Sequence, residues 1–164
     1  ESQPAAGGMM RYGIPEYRLP YDALDADINY ILSLGVDIQY NTRAGKDVTL
    51  ETLHEDYDSV LVATGLHEGR STKIPGTDHK HVYQAIDLLR EYSKGNDIPV
   101  SRNIVVIGGG NVAMDITRTL VRLQRQQYGE VNITTTSLET EDIMPADQVE
   151  IDEAREEEVN LKPG

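Results

Sequence analysis

The chain has 164 residues, no cysteine and a formal net charge of −13 at pH 7. The acidic balance excludes nucleic acid and anionic membrane surfaces as partners, because both would be repelled. The lack of cysteine excludes disulfides, thiolate zinc sites and iron–sulfur ligation within the chain. No apolar stretch approaches the length of a membrane span and no signal-type segment opens the sequence, so we expect a soluble, cytoplasmic protein.

Helix and strand signals alternate along the first third of the chain. Glycines and prolines punctuate residues 1–20, which predicts a shaped loop rather than a long regular element. Asp22–Leu34 has apolar residues at helical spacing and is followed by a glycine, a typical helix terminator. Val36–Tyr40 alternates apolar and polar residues, which predicts a half-buried strand. Thr49 is placed to cap a short helix that ends at about Glu55.

The middle of the chain contains a further strand signal and a further helix signal. Ser59–Ala63 is apolar and predicts a strand, while the polar stretch Leu66–Lys80 reads as a connection. Gln84–Tyr92 has helical periodicity, and Asn96–Arg102 predicts a linker. Near the end, Asp147–Val159 predicts a very acidic helix. The spacing of the four histidines matches no metal motif, which indicates surface residues.

The most informative stretch is IVVIGGGNVAMDITRTL, residues 104–120. Its opening four residues lack a polar face, which predicts a central parallel strand buried on both sides. Residues 108–113 fit G-x-G-x-x-A, in which the first glycine allows a tight turn, the second lets a pyrophosphate approach, and a small third residue lets helix and strand pack closely. A helix follows, with one apolar face, and Val131–Thr136 predicts the second strand of a β-α-β unit.

Two alternatives to a dinucleotide site stay open at this point. A glycine-rich turn without any ligand has the same local sequence, and methyltransferases also place a glycine loop after a first strand. The methyltransferase pattern usually has an acidic residue just before the glycines, where this chain has Ile107. After the second strand, residues 134–142 contain no lysine or arginine, and Glu139 is the candidate carboxylate for an adenosine ribose. This favours NADH over NADPH.

Five motifs in order give a resemblance to a known family. The chain resembles the FAD- and NAD(P)H-dependent small subunit of glutamate synthase, the corresponding part of dihydropyrimidine dehydrogenase, and the pyridine nucleotide-disulphide oxidoreductases generally. Family members begin with cysteine clusters and a first FAD fingerprint, so the resemblance implies a fragment of a longer polypeptide. The matching motifs are GGMMRYGIPEYRLP (7–20), VLVATG (60–65), KIPG (73–76), IVVIGGGNVAMD (104–115) and MPA (144–146).

The resemblance implies an α/β fold of Rossmann-like parallel sheets with flanking helices, divided into two parts. Residues 1–97 would be the C-terminal portion of an FAD-binding domain, and residues 98–164 the N-terminal half of an NAD(P)-binding domain. A plain turn at the Gly-Ile-Pro motif and a plain strand end at the Thr-Gly motif are the alternatives to cofactor contact. The implied contacts are, for the flavin loop, Gly7, Gly8, Tyr12, Gly13, Ile14 and Pro15; for the return beside FAD, Thr64 and Gly65; and for the dinucleotide, Gly108, Gly110, Asn111, Val112 and Ala113.

The reaction implied for the parent protein is hydride transfer from NAD(P)H to FAD, followed by electron transfer to iron–sulfur clusters outside this chain. The hydride step needs no general base, so no catalytic residue is assigned, and Asp115 is expected to orient its helix through a hydrogen bond. Leu138 and Glu139 stand where glutamate synthase small subunits usually have paired arginines, a departure that favours NADH and puts glutamate synthesis in doubt.

The same resemblance sets expectations for partners. They are a nicotinamide dinucleotide and the rest of the parent polypeptide or an electron-accepting subunit. The isolated chain is expected to be inactive, to bind FAD weakly or not at all, and to form a homodimer through unpaired sheet edges; flavin absorbance of the purified chain tests the second point. A non-catalytic domain for dinucleotide sensing or protein interaction is the alternative function.

Overall fold

The computed structural model describes residues 1–70 and 73–164. The two remaining positions fall inside the predicted connection Leu66–Lys80, so that part of the prediction lies outside the described residues. The elements in chain order are helix α1 (Gly8–Tyr12), α2 (Tyr21–Ser33), α3 (Leu50–Asp56), α4 (Ala85–Ser93), strand β1 (Ile104–Ile107), α5 (Asn111–Tyr128), β2 (Ile133–Thr136), a 3-10 turn (Glu141–Ile143), α6 (Gln148–Glu156) and β3 (Asn160–Lys162).

The three strands form one parallel sheet in the order β1-β2-β3. Ile104 lies opposite Ile133, and Thr134 lies opposite Asn160. Helix α5 connects β1 to β2, so the β-α-β unit predicted from the glycine motif is confirmed. The α/β fold with a parallel sheet and flanking helices is confirmed as well.

Helix α5 is the centre of the packing. It contacts both β1 and β2, and α4 and α6 pack against it in turn. The sequence predicts one apolar face, but burial extends further round the helix and includes the polar residues Thr117 and Gln124. Their polar atoms are paired: Thr117 Oγ1 lies 2.9 Å from Thr135 Oγ1, and Gln124 Nε2 donates to the Ser101 carbonyl at 2.7 Å. Pairing of this kind is what makes a buried polar side chain tolerable.

The prediction that β1 is covered on both faces is wrong. Val106 points into the core, but Val105 is 65% exposed and Ile107 is 56% exposed. Both strands contact α5 on the face that carries Val106 and Thr135, so the apolar residues of the opposite face remain in water. In the described chain β1 is also an edge strand, not a central one.

The strands predicted at Val36–Tyr40 and Ser59–Ala63 do not form in the described chain. A strand requires a neighbour for its backbone hydrogen bonds. The first segment instead bonds irregularly to the N-terminus, with the ammonium group of Glu1 donating to the Gln39 carbonyl at 2.9 Å. The second has no strand beside it among the described residues, and Leu61 is 90% exposed. Both predictions followed the apolar pattern, which does not report whether a partner strand is present.

The helix predictions hold, with small changes at the ends. Helices α2 and α4 match the predicted segments, and Thr49 Oγ1 accepts the Thr52 amide at 3.1 Å as the cap of α3. The first twenty residues contain the short helix α1 within the predicted loop. The helix predicted over Asp147–Val159 ends early at Glu156, because the chain then turns to pair β3 with β2.

Candidate functional site: the glycine loop and its surroundings

The turn between β1 and α5 has the geometry that the glycine pattern predicts. Gly108 has φ +147°, a left-handed conformation that favours glycine. A Cβ added there would lie 3.3 Å from the Cβ of Ala113, so the two small residues allow strand and helix to pack closely. The amide of Gly108 donates to the Thr136 carbonyl at 2.8 Å, which ties the turn to the end of β2.

Gly110 caps the N-terminus of α5, and nothing in the described protein requires a glycine at this position. Its φ of −97° and ψ of 173° are open to any residue. A Cβ added there would lie 3.9 Å from Pro145 Cγ, an ordinary van der Waals distance. The bare backbone at Gly110 therefore leaves room for a group that is not part of the described chain.

The first amides of α5 are available to an anion. The Gly110 carbonyl accepts the amides of Ala113 at 2.9 Å and Met114 at 3.2 Å. Within residues 1–70 and 73–164, the amides of Asn111 and Val112 donate to no protein acceptor. Unpaired N–H groups at a helix N-terminus, together with the helix dipole, attract phosphate groups.

The segment Met144–Asp147 packs over this loop, a contact that the glycine pattern alone does not predict. The amide of Ala146 donates to the Gly109 carbonyl at 2.9 Å. The side chain of Asn111 exchanges two hydrogen bonds with Asp147, accepting from its amide at 2.8 Å and donating to its carboxylate at 2.9 Å. The Asn111 side chain is therefore engaged within the protein, and only its backbone amide is left for a ligand. The MPA motif was the sequence signal for this contact.

Glu139 lies beside the glycine loop. A Cβ added at Gly109 would lie 3.3 Å from Glu139 Oε2 and 3.0 Å from Ser137 Cβ. The backbone carbonyl of Glu139 accepts hydrogen bonds from Ser137 Oγ at 2.8 Å and from the Gly164 amide at 3.1 Å, and these bonds fix the turn after β2. The structure thus brings together the candidate carboxylate and the glycine motif, as the β-α-β pattern predicts. A role in binding ribose stays a prediction.

The proposed flavin loop, residues 7–15, is largely structured by contacts within the protein. The Tyr12 hydroxyl is hydrogen-bonded to both backbone groups of Ala5, at 3.2 and 3.3 Å. A Cβ at Gly13 would clash with Met9, and Pro15 is fully buried. Gly7, Gly8 and Ile14 remain partly accessible. The flavin contacts implied by the resemblance stay a prediction.

Thr64 and Gly65 lie in an exposed, irregular segment. Gly65 has φ +74°, a conformation typical of a turn. In the described part of the chain no hydrogen bond joins these two residues to the glycine loop. The proposed contact of this turn with FAD therefore depends on the resemblance alone.

Two residues just after the proposed flavin loop, Tyr17 and Arg18, reach helices α5 and α6. Arg18 forms ion pairs with Asp115 at 2.7 Å and with Glu150 at 2.6 Å. The Tyr17 hydroxyl donates to the Asp115 carbonyl at 3.3 Å. The sequence predicts that Asp115 orients its own helix. In the structure its carboxylate pairs with Arg18, a residue that is distant in sequence. Burial raises the pKa of Asp115, and its pairing with Arg18 opposes that rise.

Arg118 is the most buried cation of this cluster. Its guanidinium pairs with Glu150 at 2.6 Å, Glu153 at 2.5 Å and Glu157 at 3.1 Å, all on α6 or its end. Arg122 also pairs with Glu157, at 2.8 Å. We refer to Tyr17, Arg18, Asp115, Arg118, Arg122, Glu150, Glu153 and Glu157 as the seam network.

The Tyr17 ring contributes to the seam network by stacking under its arginines. The Arg122 guanidinium carbon lies 3.6 Å from the ring centroid, and that of Arg118 lies 5.0 Å from it. Cations over an aromatic face are attracted by the ring quadrupole. Burial raises the pKa of Tyr17 to about 12, although both arginines oppose the rise.

We expect Tyr17 to keep its proton up to about pH 12, whereas exposed tyrosines ionise near pH ~10. The folded state then holds this proton at a pH where the unfolded state has lost it. The stability it contributes is complete below about pH 10 and is lost as the pH rises towards 12. Tyrosinate absorbance of the wild type minus that of Tyr17→Phe isolates the group. A difference curve that titrates with the exposed tyrosines would contradict the assignment.

Among residues 1–70 and 73–164, no group of three or more His, Cys, Asp or Glu side chains is arranged to hold a metal ion. None of the helices in the same residues has the length and apolar character needed to cross a membrane.

Together the parallel sheet, the glycine turn and the open N-terminus of α5 define a Rossmann-like α/β protein. The chain belongs to the pyridine nucleotide-disulphide oxidoreductase family, whose sequence profile matches residues 6–163. The resemblance inferred from the five motifs is confirmed at this level.

Three known proteins show what the chain is similar to. The NADPH-Fe(3+) oxidoreductase subunit beta of Geobacter sulfurreducens is 39% identical over 159 residues, which are 95% of this chain and 23% of that protein. The NAD-dependent dihydropyrimidine dehydrogenase subunit PreT of Escherichia coli O157:H7 is 39% identical over 165 residues, which are 100% of this chain and 38% of that protein. The chain thus spans between about a quarter and two fifths of the length of these relatives.

A solved structure with the same fold is Mycobacterium tuberculosis FprA in complex with NADPH. It superposes with a TM-score of 0.74 at 21% identity, over 95% of this chain and 39% of that one. At this identity the likeness supports the fold alone. The names of the two relatives include both NADPH and NAD, so they do not decide which nucleotide this chain prefers.

Proposed function

We propose that this chain is part of a flavoprotein oxidoreductase that binds a nicotinamide dinucleotide at Gly108, Gly110, Asn111, Val112 and Ala113. The observation that carries the proposal is the combination at Gly110: a glycine that the fold does not require, directly before two unpaired amides. A side chain at this position would occupy the space that a pyrophosphate needs. The amides of Asn111 and Val112 would donate to the phosphate oxygens.

The proposal extends to FAD through the resemblance. Gly7, Gly8 and Ile14 are the accessible members of the loop that would line the flavin, and Thr64-Gly65 would be the returning turn. The bound cofactors supply the redox chemistry, a hydride passed from the nicotinamide to the flavin. The residues of this chain bind and orient, and none of them needs to move a proton for that step.

The proposal further assigns the parent protein to the glutamate synthase small-subunit type. Electrons would leave the flavin for iron–sulfur centres outside this chain, held by the rest of the parent polypeptide or by an electron-accepting subunit. With no cysteine, this chain offers no thiolate ligand for such a centre. The same proposal assigns residues 1–97 to the C-terminal portion of an FAD-binding domain and residues 98–164 to the N-terminal half of an NAD(P)-binding domain.

A homodimer of the isolated chain is also proposed. The open face of β1, with Val105 and Ile107, and the unpaired apolar segment around Leu61 are exposed in the described structure. Unpaired strands and apolar patches are commonly covered by association. Sedimentation of the purified chain as a monomer at all concentrations would contradict this.

The proposed preference for NADH depends on Glu139. A carboxylate accepts hydrogen bonds from the two ribose hydroxyls of NADH and repels the 2′-phosphate of NADPH. We expect the holoenzyme to bind NADH at least about tenfold more tightly than NADPH, and Glu139→Arg to reverse the order, since ~1.4 kcal/mol corresponds to one factor of ten.

Calorimetry with both nucleotides measures the preference, and the wild-type titration also tests the proposed function. Asp142→Arg is the control, because it adds the same charge to an exposed residue nearby. A wild type that binds neither nucleotide would contradict the dinucleotide site. If the wild type binds NADPH more tightly than NADH, only the proposed role of Glu139 is contradicted, and the dinucleotide site is not.

A further inference from the structure

The seam network joins the two proposed cofactor loops by a short path. Arg18 is three residues beyond Pro15, the last residue of the proposed flavin loop, and its amide donates to the Pro15 carbonyl at 2.9 Å. Asp115 is two residues beyond Ala113, the last residue of the glycine motif, in the first turns of α5. The Arg18–Asp115 ion pair of 2.7 Å therefore links the two loops through a few residues of ordered backbone at each end.

The geometry of this link is demanding because both of its carboxylates are buried. The side chain of Asp115 is 4% exposed and that of Glu150 is 9% exposed, while Arg18 bridges them with separate nitrogens, Nη1 and Nε. Buried charges are stable only when their partners are well placed, since desolvation offsets most of the attraction. A planar guanidinium that meets two fixed carboxylates allows little freedom in distance or direction.

The apolar packing around the Arg18 ion pairs does not fix the direction in which the loops face each other. Leu89 of α4 packs in the core against α5, but burial of apolar surface is non-directional. A cavity of about 630 Å³ lies beside the link and is lined by Tyr17, Tyr92 and Arg122 among others. Helix α1 packs against α4, with Tyr12 and Pro15 buried. The side chains of Tyr17 and Arg18 carry the N-terminal segment on to α5 and α6, and the ion pairs of Arg18 give that contact its direction.

We propose that Arg18, together with the adjacent Tyr17 whose ring stacks on Arg118 and Arg122, is a positioning residue that sets the flavin loop relative to the glycine loop. This inference rests on the proposed function. Hydride transfer depends steeply on the distance and alignment of the two reacting rings, and a displacement of about 1 Å can cost about 100-fold in rate. Arg18 acts on the rate of that step through its partners and does not itself touch the dinucleotide.

The test separates rate from affinity in the flavin-loaded holoenzyme. Anaerobic stopped-flow mixing with NADH gives the limiting rate of flavin bleaching and, from its concentration dependence, the dissociation constant. For Arg18→Met we expect the limiting rate to fall about 10- to 100-fold, with the dissociation constant changed less than about twofold, the pattern of an interaction that serves the transition state only. Arg18→Lys should recover part of the rate, because a single ammonium can pair with one carboxylate but not span both.

Arg102→Met is the matched control, since Arg102 pairs with Glu130 at 2.9 Å and stacks on the Tyr128 ring, but on the surface. If Arg18→Met fails to fold or to hold flavin, Tyr17→Leu decides. It keeps both ion pairs of Arg18 but removes the ring that stacks on Arg118 and Arg122 and the hydroxyl that donates to the Asp115 carbonyl, so a slower bleaching rate is expected there too.

An unchanged bleaching rate in the folded Arg18→Met holoenzyme would overturn the inference. So would weakened NADH binding at an unchanged limiting rate, or an unchanged rate in Tyr17→Leu where that variant decides. A wild-type holoenzyme that NADH does not bleach would instead overturn the proposed function, and the inference with it.

Discussion

Replacing Arg118 by methionine is expected to lower the free energy of unfolding by about 1.5–3 kcal/mol, the usual contribution of hydrogen bonds to charged groups, because the buried carboxylates lose a donor although Glu150 keeps Arg18 and Glu157 keeps Arg122. The Arg118 side chain is only 5% exposed and pairs with Glu150, Glu153 and Glu157. Methionine fills much of the same volume, so the loss reflects charge more than packing. Urea denaturation of the chain, followed by circular dichroism, measures the change.

Two comparisons separate a buried charge from a lost surface contact. Arg102→Met removes an exposed ion pair with Glu130 and is expected to change stability by no more than about 1 kcal/mol. The double substitution Arg118→Met with Glu153→Gln should be more stable than Arg118→Met alone, because among the described residues Glu153 pairs with no cation other than Arg118, whereas Glu150 keeps Arg18 and Glu157 keeps Arg122. A loss below about 1 kcal/mol in the single variant would contradict the account.

The pH dependence of the Arg118 variant provides a further check through Asp115. Burial raises the pKa of Asp115, while Arg18 and, more weakly, Arg118 oppose the rise. Without Arg118 the pKa should rise further, so the folded state holds the proton to a higher pH than the unfolded state. The corresponding stability is present at low pH and is lost as the pH rises through the folded pKa. The deficit of the variant attributable to this group should therefore be smaller in acid than at neutral pH.

Local signals in the sequence predict the β1-α5-β2 unit and the helix ends well. The turn at Gly108 requires a glycine, and the small residue at Ala113 packs against it, so a short motif specifies the strand-to-helix connection. The helix ends are also determined by nearby residues. Thr49 caps α3 by accepting the Thr52 amide, and a glycine in a left-handed conformation follows shortly after α2 and after α4. These features depend on backbone geometry and not on distant contacts.

Features that depend on distant partners are not readable in the same way. The apolar segments Val36–Tyr40 and Ser59–Ala63 have the composition of strands, but a strand forms only where another strand is present to accept its hydrogen bonds. Strand β3 was missed for the converse reason. Three residues are too few for a pattern, and register with β2 defines the element.

The seam network illustrates the same limit at the candidate site. Arg18 and Asp115 are 97 positions apart, and no spacing rule connects them. The only local hint is a charged side chain at Arg118, between buried neighbours on α5. Such a residue must have a partner when buried, but the sequence does not say that the partners are on α6 and on the N-terminal segment.

Replacing Gly110 by alanine is expected to weaken NADH binding about 10- to 100-fold, because a hydrogen bond to a charged phosphate contributes about 1.5–3 kcal/mol and the added methyl group displaces the phosphate from the amides. Folding should be almost unaffected, since Gly110 has an ordinary extended backbone and the new Cβ would meet Pro145 Cγ at 3.9 Å. Calorimetric titration of the holoenzyme with NADH, beside thermal unfolding of the same variant, measures both quantities.

Gly129→Ala is the matched control, and it should lower stability without weakening NADH binding. Gly129 ends α5 with φ +73° and has no atom within 4 Å of an added Cβ, so alanine introduces backbone strain of about 1 kcal/mol far from the glycine loop. That variant should unfold earlier but bind NADH as the wild type does. If Gly110→Ala binds NADH with unchanged affinity, the open space before α5 does not hold the pyrophosphate, and the glycine at 110 has no ligand to explain it.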